Sequence, residues 1–185
     1  MEDQEIIDLY LRRSENAISQ TDIKYGKHCR RLSMNILSSP EDAEECVNDT
    51  YLTAWNTIPP QHPVSLCAFI SRITRNLALK KYAYISAGKR NPEVTVSFSE
   101  LEDCVSGKDT VEEAAENGRI GRAVSDFLRT LSYESRNVFL RRYWYFDSIA
   151  AIAQRFGISE SKAASMLWRT RRKLRAYLQR EGIDL

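Results

Sequence analysis

The chain has little of what a membrane, a secretory route or a metal centre would need. No apolar run approaches the roughly 18 residues of a bilayer span, and the first ten residues, MEDQEIIDLY, are acidic where a signal peptide is basic. A cytoplasmic protein with no membrane contact of its own is expected. Cysteine and histidine are sparse, with four of one and two of the other. Cys29, Cys46, Cys67 and Cys104, with His28 and His62, show no C-x-x-C and no repeated ligand spacing. Adjacent His28 and Cys29 on a helix point about 100° apart and do not easily share one ion. Reduced thiols that fill cores are therefore expected, with no metal and no cofactor, and a metalloenzyme built on Cys29, His28, Cys46 or Cys67 is set aside. Period-two alternation is almost absent, which removes the signal for half-buried strands.

What the sequence does have is apolar content and segregated charge. Hydrophobic residues make up 43% of 185, enough for one ordinary domain or two small ones. The net charge of +2 conceals a division: residues 1–87 carry −1, residues 88–118 carry −5 and residues 119–185 carry +8. The middle segment combines a proline, three glycines and an acidic bias without a sustained helical period. It is expected to be a linker over 88–118 between two helical domains of an all-α protein.

In the first domain the clearest helix start is SSPEDAEECVNDTYLTAW. Ser39 can cap it, Pro40 suits the first helical position, and Glu41 and Asp42 favour the positive helix end. Pro59-Pro60 should end it. Ala43, Val47, Ala54 and Trp55, with Cys46 and Tyr51 beside them, form an apolar stripe. Glu41, Glu45 and Asp49, spaced i, i+4, i+8, form an acidic face with no basic residue of the same helix to pair with. The loop IPPQHPVS then holds three prolines in eight residues and should be stiff. In the next helix, LCAFISRITRNLALKKYA, burial is expected for Phe69, Ile70, Ile73 and Leu77, and exposure for Arg72, Arg75, Asn76, Lys80 and Lys81. Taken alone, such a basic face reads first as a solvated surface.

The stretch from Ser148 to Leu178 places seven arginines and lysines on a helical pattern interrupted by one glycine. Ile149, Ile152, Ala153 and Phe156 form the buried side of a short helix, Gly157 supplies a positive-φ turn, Ile158 plugs the corner and Ser159 caps the next helix. That spacing predicts a helix-turn-helix. Ala163, Met166, Leu167, Leu174 and Leu178 repeat as the buried stripe of the second helix, leaving Glu160, Ser161, Lys162, Ser165, Trp168, Arg169 and Arg172 outward. In such a motif the N-terminal part of the second helix enters the major groove. Lys162 and Ser165 then lie at the depth of base edges, and Arg169, Arg171, Arg172 and Lys173 nearer the phosphates. The basic segment and the motif together point to nucleic acid.

Asp42-Ala43-Glu44 through Val47, Thr50, Leu52 and Ala54-Trp55, followed by Ser65 to Leu79 with Arg72-Ile73-x-Arg75-Asn76-Leu77-Ala78-Leu79, resembles region two of bacterial sigma factors of the extracytoplasmic-function class, in the sigma-70 family. Leu131 to Leu178 resembles their region four, through Leu131-Ser132, Arg142-Tyr143, Ile152-Ala153, Gly157-Ile158-Ser159 and Arg169 to Leu174. The two motifs stand in the family's order with a linker where the family has one.

The resemblance implies a transcription initiation factor that catalyses no reaction itself. Its partners would be core RNA polymerase, through the β′ clamp and the β flap, and promoter DNA, with room for an anti-sigma factor. It implies Glu41, Glu45, Asn48 and Asp49 for docking on polymerase, and Arg72, Arg75, Asn76, Lys80 and Lys81 for the minus-ten element. Ser161, Lys162, Ser165, Arg169 and Arg172 would serve the minus-thirty-five element. The stiff loop from Ile58 to Ser65 sits where the family holds an unstacked base. The linker would thread the RNA-exit path, a plain solvated tether being the other reading. Phe69 stands where the family often has tryptophan, and Ala164 and Met166 where it often has lysine and arginine, so fewer side chains are expected to reach the upstream DNA. The rival reading is a helix-turn-helix repressor or activator, which leaves the acidic helix, proline loop and basic helix in series without a role.

Overall fold

The computed structural model describes residues 1–85, 90–102 and 113–183, and every regular element among them is a helix. Of the expected linker over 88–118, residues 88–89 and 103–112, Cys104 among them, lie outside the described residues. Two compact units divide the chain, Met1–Asn91 and Pro92–Leu185.

Unit 1 contains α1 (Asp3–Leu11), α2 (Asn16–Leu37), α3 (Pro40–Thr57) and α4 (Leu66–Tyr84). The Ser39 cap is the one read from the sequence, and Ser65 supplies a second for α4. Ser39 Oγ accepts the Asp42 amide at 3.2 Å and Ser65 Oγ the Ala68 amide at 3.3 Å, satisfying donors that a helix start leaves free. Helices α2, α3 and α4 pack on one another, and α1 lies across α2 and α4. Ile6, Ile7 and Tyr10 of α1 join Val47, Tyr51 and Ala54 of α3 and Leu66, Phe69 and Ile70 of α4 in the core.

The buried side of α4 differs from the expected stripe. Phe69 and Ile70 are buried, but Ile73 and Leu77 are only partly so, while Ser71, Thr74 and Ala78 are fully enclosed. The helix is packed from two sides, by α2 and by α3, and small residues allow that approach. The hydroxyls are tolerated because Ser71 donates to the Cys67 carbonyl at 2.7 Å, Thr74 to Ile70 at 2.9 Å and, from α3, Thr50 to Cys46 at 2.8 Å.

Unit 2 contains α5 (Pro92–Glu102), α6 (Glu113–Thr130), α7 (Tyr133–Tyr143), α8 (Ile149–Phe156) and α9 (Glu160–Arg180). The expected linker over 88–118 is corrected here: Pro92–Glu102 is helical, packs on α7 and belongs to unit 2, and helix resumes at Glu113. The core joins Val138, Phe139 and Tyr143 of α7 to Ile152 of α8 and to Ala163, Met166, Leu167, Leu174 and Leu178 of α9. Of the expected α8 stripe, Ile152 and Ala153 are buried and Ile149 and Phe156 partly so.

The α8–α9 turn follows the sequence reading. Gly157 has φ 63°, the left-handed conformation, and Ser159 Oγ accepts the Lys162 amide at 3.2 Å. A Cβ at Gly157 would meet nothing within 4 Å, so only the backbone conformation opposes a side chain there. Gly157→Ala is therefore expected to destabilise unit 2 by about 1 kcal/mol, read by urea unfolding, with the turn retained. No change at all would show that the turn is not held in this conformation in solution.

Candidate nucleic-acid interface

Three surfaces carry the residues singled out in the sequence. On α3, Glu41, Glu45, Asn48 and Asp49 are all exposed, and Leu52 continues the same face with its side chain largely in solvent. The acidic face has a basic partner after all, supplied by α4. Lys81 Nζ lies 2.6 Å from Asp42 Oδ1 and 2.6 Å from Glu45 Oε2. Two residues assigned to different surfaces, Glu45 and Lys81, are thus joined in one ion-paired cluster.

On α4 the five expected residues separate. Arg72, Asn76 and Lys80, each four apart, are exposed along one line of the helix. Arg75 is half-buried, and burial alone pushes its guanidinium pKa down from the ordinary value. Lys81 is half-buried and occupied by Asp42 and Glu45. The exposed basic ridge is therefore Arg72-Asn76-Lys80. The Arg72 guanidinium stands 5.8 Å from the centre of the Phe69 ring.

On α9, Ser161, Lys162, Ser165, Arg169 and Arg172 are all exposed, as the helical period requires. A shallow open groove runs along this face, with Ser161, Lys162, Ala164, Ser165, Trp168 and Arg169 in its wall. Trp168, 51% exposed, has the Arg172 guanidinium 4.8 Å from its ring centre, a stacked pair that holds both side chains outward. Lys162 Nζ is 3.9 Å from Glu134 Oε1 of α7, a loose pair in open solvent. Met166 is buried in the core, as its place in the apolar stripe requires, so the shortfall of DNA-facing side chains is confined to Ala164.

Arg171 is the residue whose placement departs most from expectation. It is turned away from the basic face and donates to Glu100 Oε2 at 3.1 Å and to the Tyr143 hydroxyl at 2.6 Å. Glu100 also receives Arg142 Nη2 on Oε1 at 3.0 Å and the Tyr143 hydroxyl on Oε2 at 2.7 Å. Arg142, only 1% exposed, donates in addition to Glu93 Oε2 at 2.6 Å and to the Asp147 carbonyl at 3.3 Å. Burial pushes the Glu100 carboxyl up, but the hydrogen bonds from Arg142 and Tyr143 and the charges of Arg142 and Arg171 outweigh it, and the group is held below its ordinary value. Burial and the neighbouring Glu100 push the Tyr143 phenol up. Sequence reasoning missed this cluster. The available signal was the pair Glu93 and Glu100, two turns apart in an otherwise unassigned segment, together with an arginine in an apolar stretch.

No helix among the described residues is long and apolar enough to cross a membrane, and no group of three His, Cys, Asp or Glu among them is placed to hold a metal ion. No curated protein matches the chain. Residues 24–86 match the family model for sigma-70 region 2. The match runs from within α2 through α3 and α4, so it contains both the acidic face around Glu45 and the basic ridge around Asn76. That match identifies residues 24–86 as a sigma-70 region 2 domain, the domain found in RNA polymerase sigma factors of the sigma-70 family.

Proposed function

We propose that this is a two-domain sigma factor of the extracytoplasmic-function class, acting with core RNA polymerase in the cytoplasm. Unit 1 docks on the β′ clamp through Glu41, Glu45, Asn48 and Asp49 and opens the minus-ten element. Unit 2 meets the β flap and reads the upstream element by a helix-turn-helix made of α8 and α9. The observation that carries this reading is the region 2 match over α2 to α4, whose outward faces are acidic on α3 and basic on α4.

An exposed acidic ridge suits a basic partner surface because charge on the rim of an interface steers association. Arg72, Asn76 and Lys80 suit a melted strand, whose phosphates want cations and whose bases offer hydrogen-bonding edges. Arg75 and Lys81 serve that surface from its border, one through burial and one through its pairing with α3. Ser161, Lys162, Ser165, Arg169 and Arg172 line the face that would enter the major groove. The factor supplies recognition and leaves the chemistry to polymerase, and an anti-sigma partner is compatible with either unit.

Run-off transcription on genomic promoter fragments, with core polymerase and with or without the factor, tests the reading directly. Within it, Glu45→Lys with Asp49→Lys should weaken binding to core polymerase at least tenfold while helicity is kept, since exposed pairs such as Glu45–Lys81 contribute under about 1 kcal/mol to the fold. Unchanged affinity in a normally helical double variant would remove α3 from the docking surface.

A further inference from the structure

We propose that Glu100 is a positioning residue for promoter reading: from α5 it holds Tyr143 and Arg171 and so fixes how α9 is turned against α7. The inference rests on the reading of α9 as the helix that meets upstream DNA.

The geometry is a closed triangle drawn from three helices. Glu100 Oε2 accepts the Tyr143 hydroxyl of α7 at 2.7 Å and Arg171 Nη1 of α9 at 3.1 Å, and the same hydroxyl accepts Arg171 at 2.6 Å. Apart from the loose, solvent-exposed Lys162–Glu134 pair, the packing of α7 on α9 is apolar, through Phe139, Leu167 and Leu174. Apolar packing is non-directional and tolerates some rotation of one helix against another. Charge-assisted hydrogen bonds do not, because they weaken steeply with angle.

A small rotation is enough to matter. Side chains stand about 6 Å from a helix axis, so a turn of about 20° moves them by about 2 Å. That exceeds the distance tolerance of a hydrogen bond to a base edge, about 0.5 Å. Lys162 and Ser165, on the same rigid helix as Arg171, would meet different atoms.

Glu100 is not needed merely to keep α5 attached. Val94 is fully buried, Phe98 meets Phe146 edge to face with centroids 5.6 Å apart, and Glu93 pairs with Arg142 at 2.6 Å. Those contacts seat α5 at its start and along its length. The carboxylate at Glu100 adds direction to a helix already docked.

The test uses holoenzyme made with the full chain carrying Glu100→Gln, which keeps the shape and removes the charge. Affinity is measured on duplex promoters that differ in the upstream element and on a downstream fork template that lacks it. The expected result is a loss of about fivefold to tenfold on the preferred upstream sequence, a narrowed preference among upstream variants, and an unchanged fork template. Arg171→Met should give the same pattern, and the double variant should lose no more than either single one, as coupled residues do. Tyr143→Phe, which removes one hydroxyl, is the milder second variant should Glu100→Gln disturb the helicity of unit 2, and it should narrow the preference in the same direction. An equal loss on every upstream variant with preference intact would overturn the proposal, and so would additive losses, which would put Arg171 on the DNA in its own right. Wild-type holoenzyme indifferent to the upstream sequence would instead overturn the reading of α9 and the inference with it.

Discussion

Arg142→Ala is expected to destabilise unit 2 by about 3 kcal/mol, the scale on which removing one partner of a buried ion pair leaves the other uncompensated. Arg142 is almost fully enclosed and is shared between Glu93, Glu100 and the Asp147 carbonyl. Truncation removes three acceptors' partner at once and opens a space beside Tyr143. Glu93 retains much of its solvent and recovers its hydration, which keeps the loss at the lower end of the range. Urea titration of the full chain, read by hydrogen exchange at the amides of α7 and α9, isolates this unit from α1–α4. A loss under about 1 kcal/mol would mean that Arg142 is solvated and that α5 is not seated on α7.

The same cluster sets an acid limit. Glu100 has its folded pKa depressed, so the stability it contributes is complete above its unfolded value near about 4.3 and is lost as pH falls through the lower folded value. Arg142→Ala removes the hydrogen bonds and charge that counter burial. The onset of acid unfolding in unit 2 should then move to higher pH in the variant.

The parts of the fold that were legible in the sequence are those governed by local chemistry. Ser39-Pro40 announced the start of α3, and Gly157-Ile158-Ser159 announced the turn before α9, because capping and left-handed turns involve residues within four positions of one another. The outward set on α9 followed from the helical period once the apolar stripe was recognised, and all five upstream-facing candidates are exposed. Region 2 was legible through its motif and agrees with the family match.

What escaped depends on partners far away in the chain. Helix α5 reads as irregular because Val94, Thr95 and Val96 are β-branched and Ser97 and Ser99 dilute the apolar period. Its seat is set by Arg142, 49 residues on from Glu93, which no window of sequence contains. Lys81 and Glu45, 36 residues apart, were placed on separate surfaces for the same reason. Arg171 illustrates the limit within one helix. Arg171 and Arg172 look equivalent as a basic run, but they stand about 100° apart: Arg171, four after Leu167 and three before Leu174, lies on the buried side, where the carboxylate of α5 receives it.

That separation sharpens the expected behaviour of α9 at the upstream element. Lys162 lies in the first turn, where a helix entering the major groove meets base edges, and Arg172 lies almost three turns further, where the helix leaves the groove beside the backbone. Removing a base contact costs about 1 to 3 kcal/mol and relaxes preference at one position, whereas removing a phosphate contact weakens all sequences alike and lowers the salt slope by about one. Lys162→Ala in holoenzyme should therefore change which upstream variants are used, and Arg172→Ala should depress them all while flattening the salt dependence. Arg172→Ala also releases Trp168 from the stacked pair, so Trp168→Ala serves as the control that separates a lost phosphate contact from a lost support. Unit 2 presents Ala164 where a charge would add to the face, so under the proposed function polymerase is expected to supply the second anchor by raising the effective concentration of DNA. The measurement is promoter affinity over a series of salt concentrations for a panel of upstream variants. A shift in sequence preference from Arg172→Ala, with none from Lys162→Ala, would place the far end of α9 on the bases and reverse the direction in which the helix enters the groove.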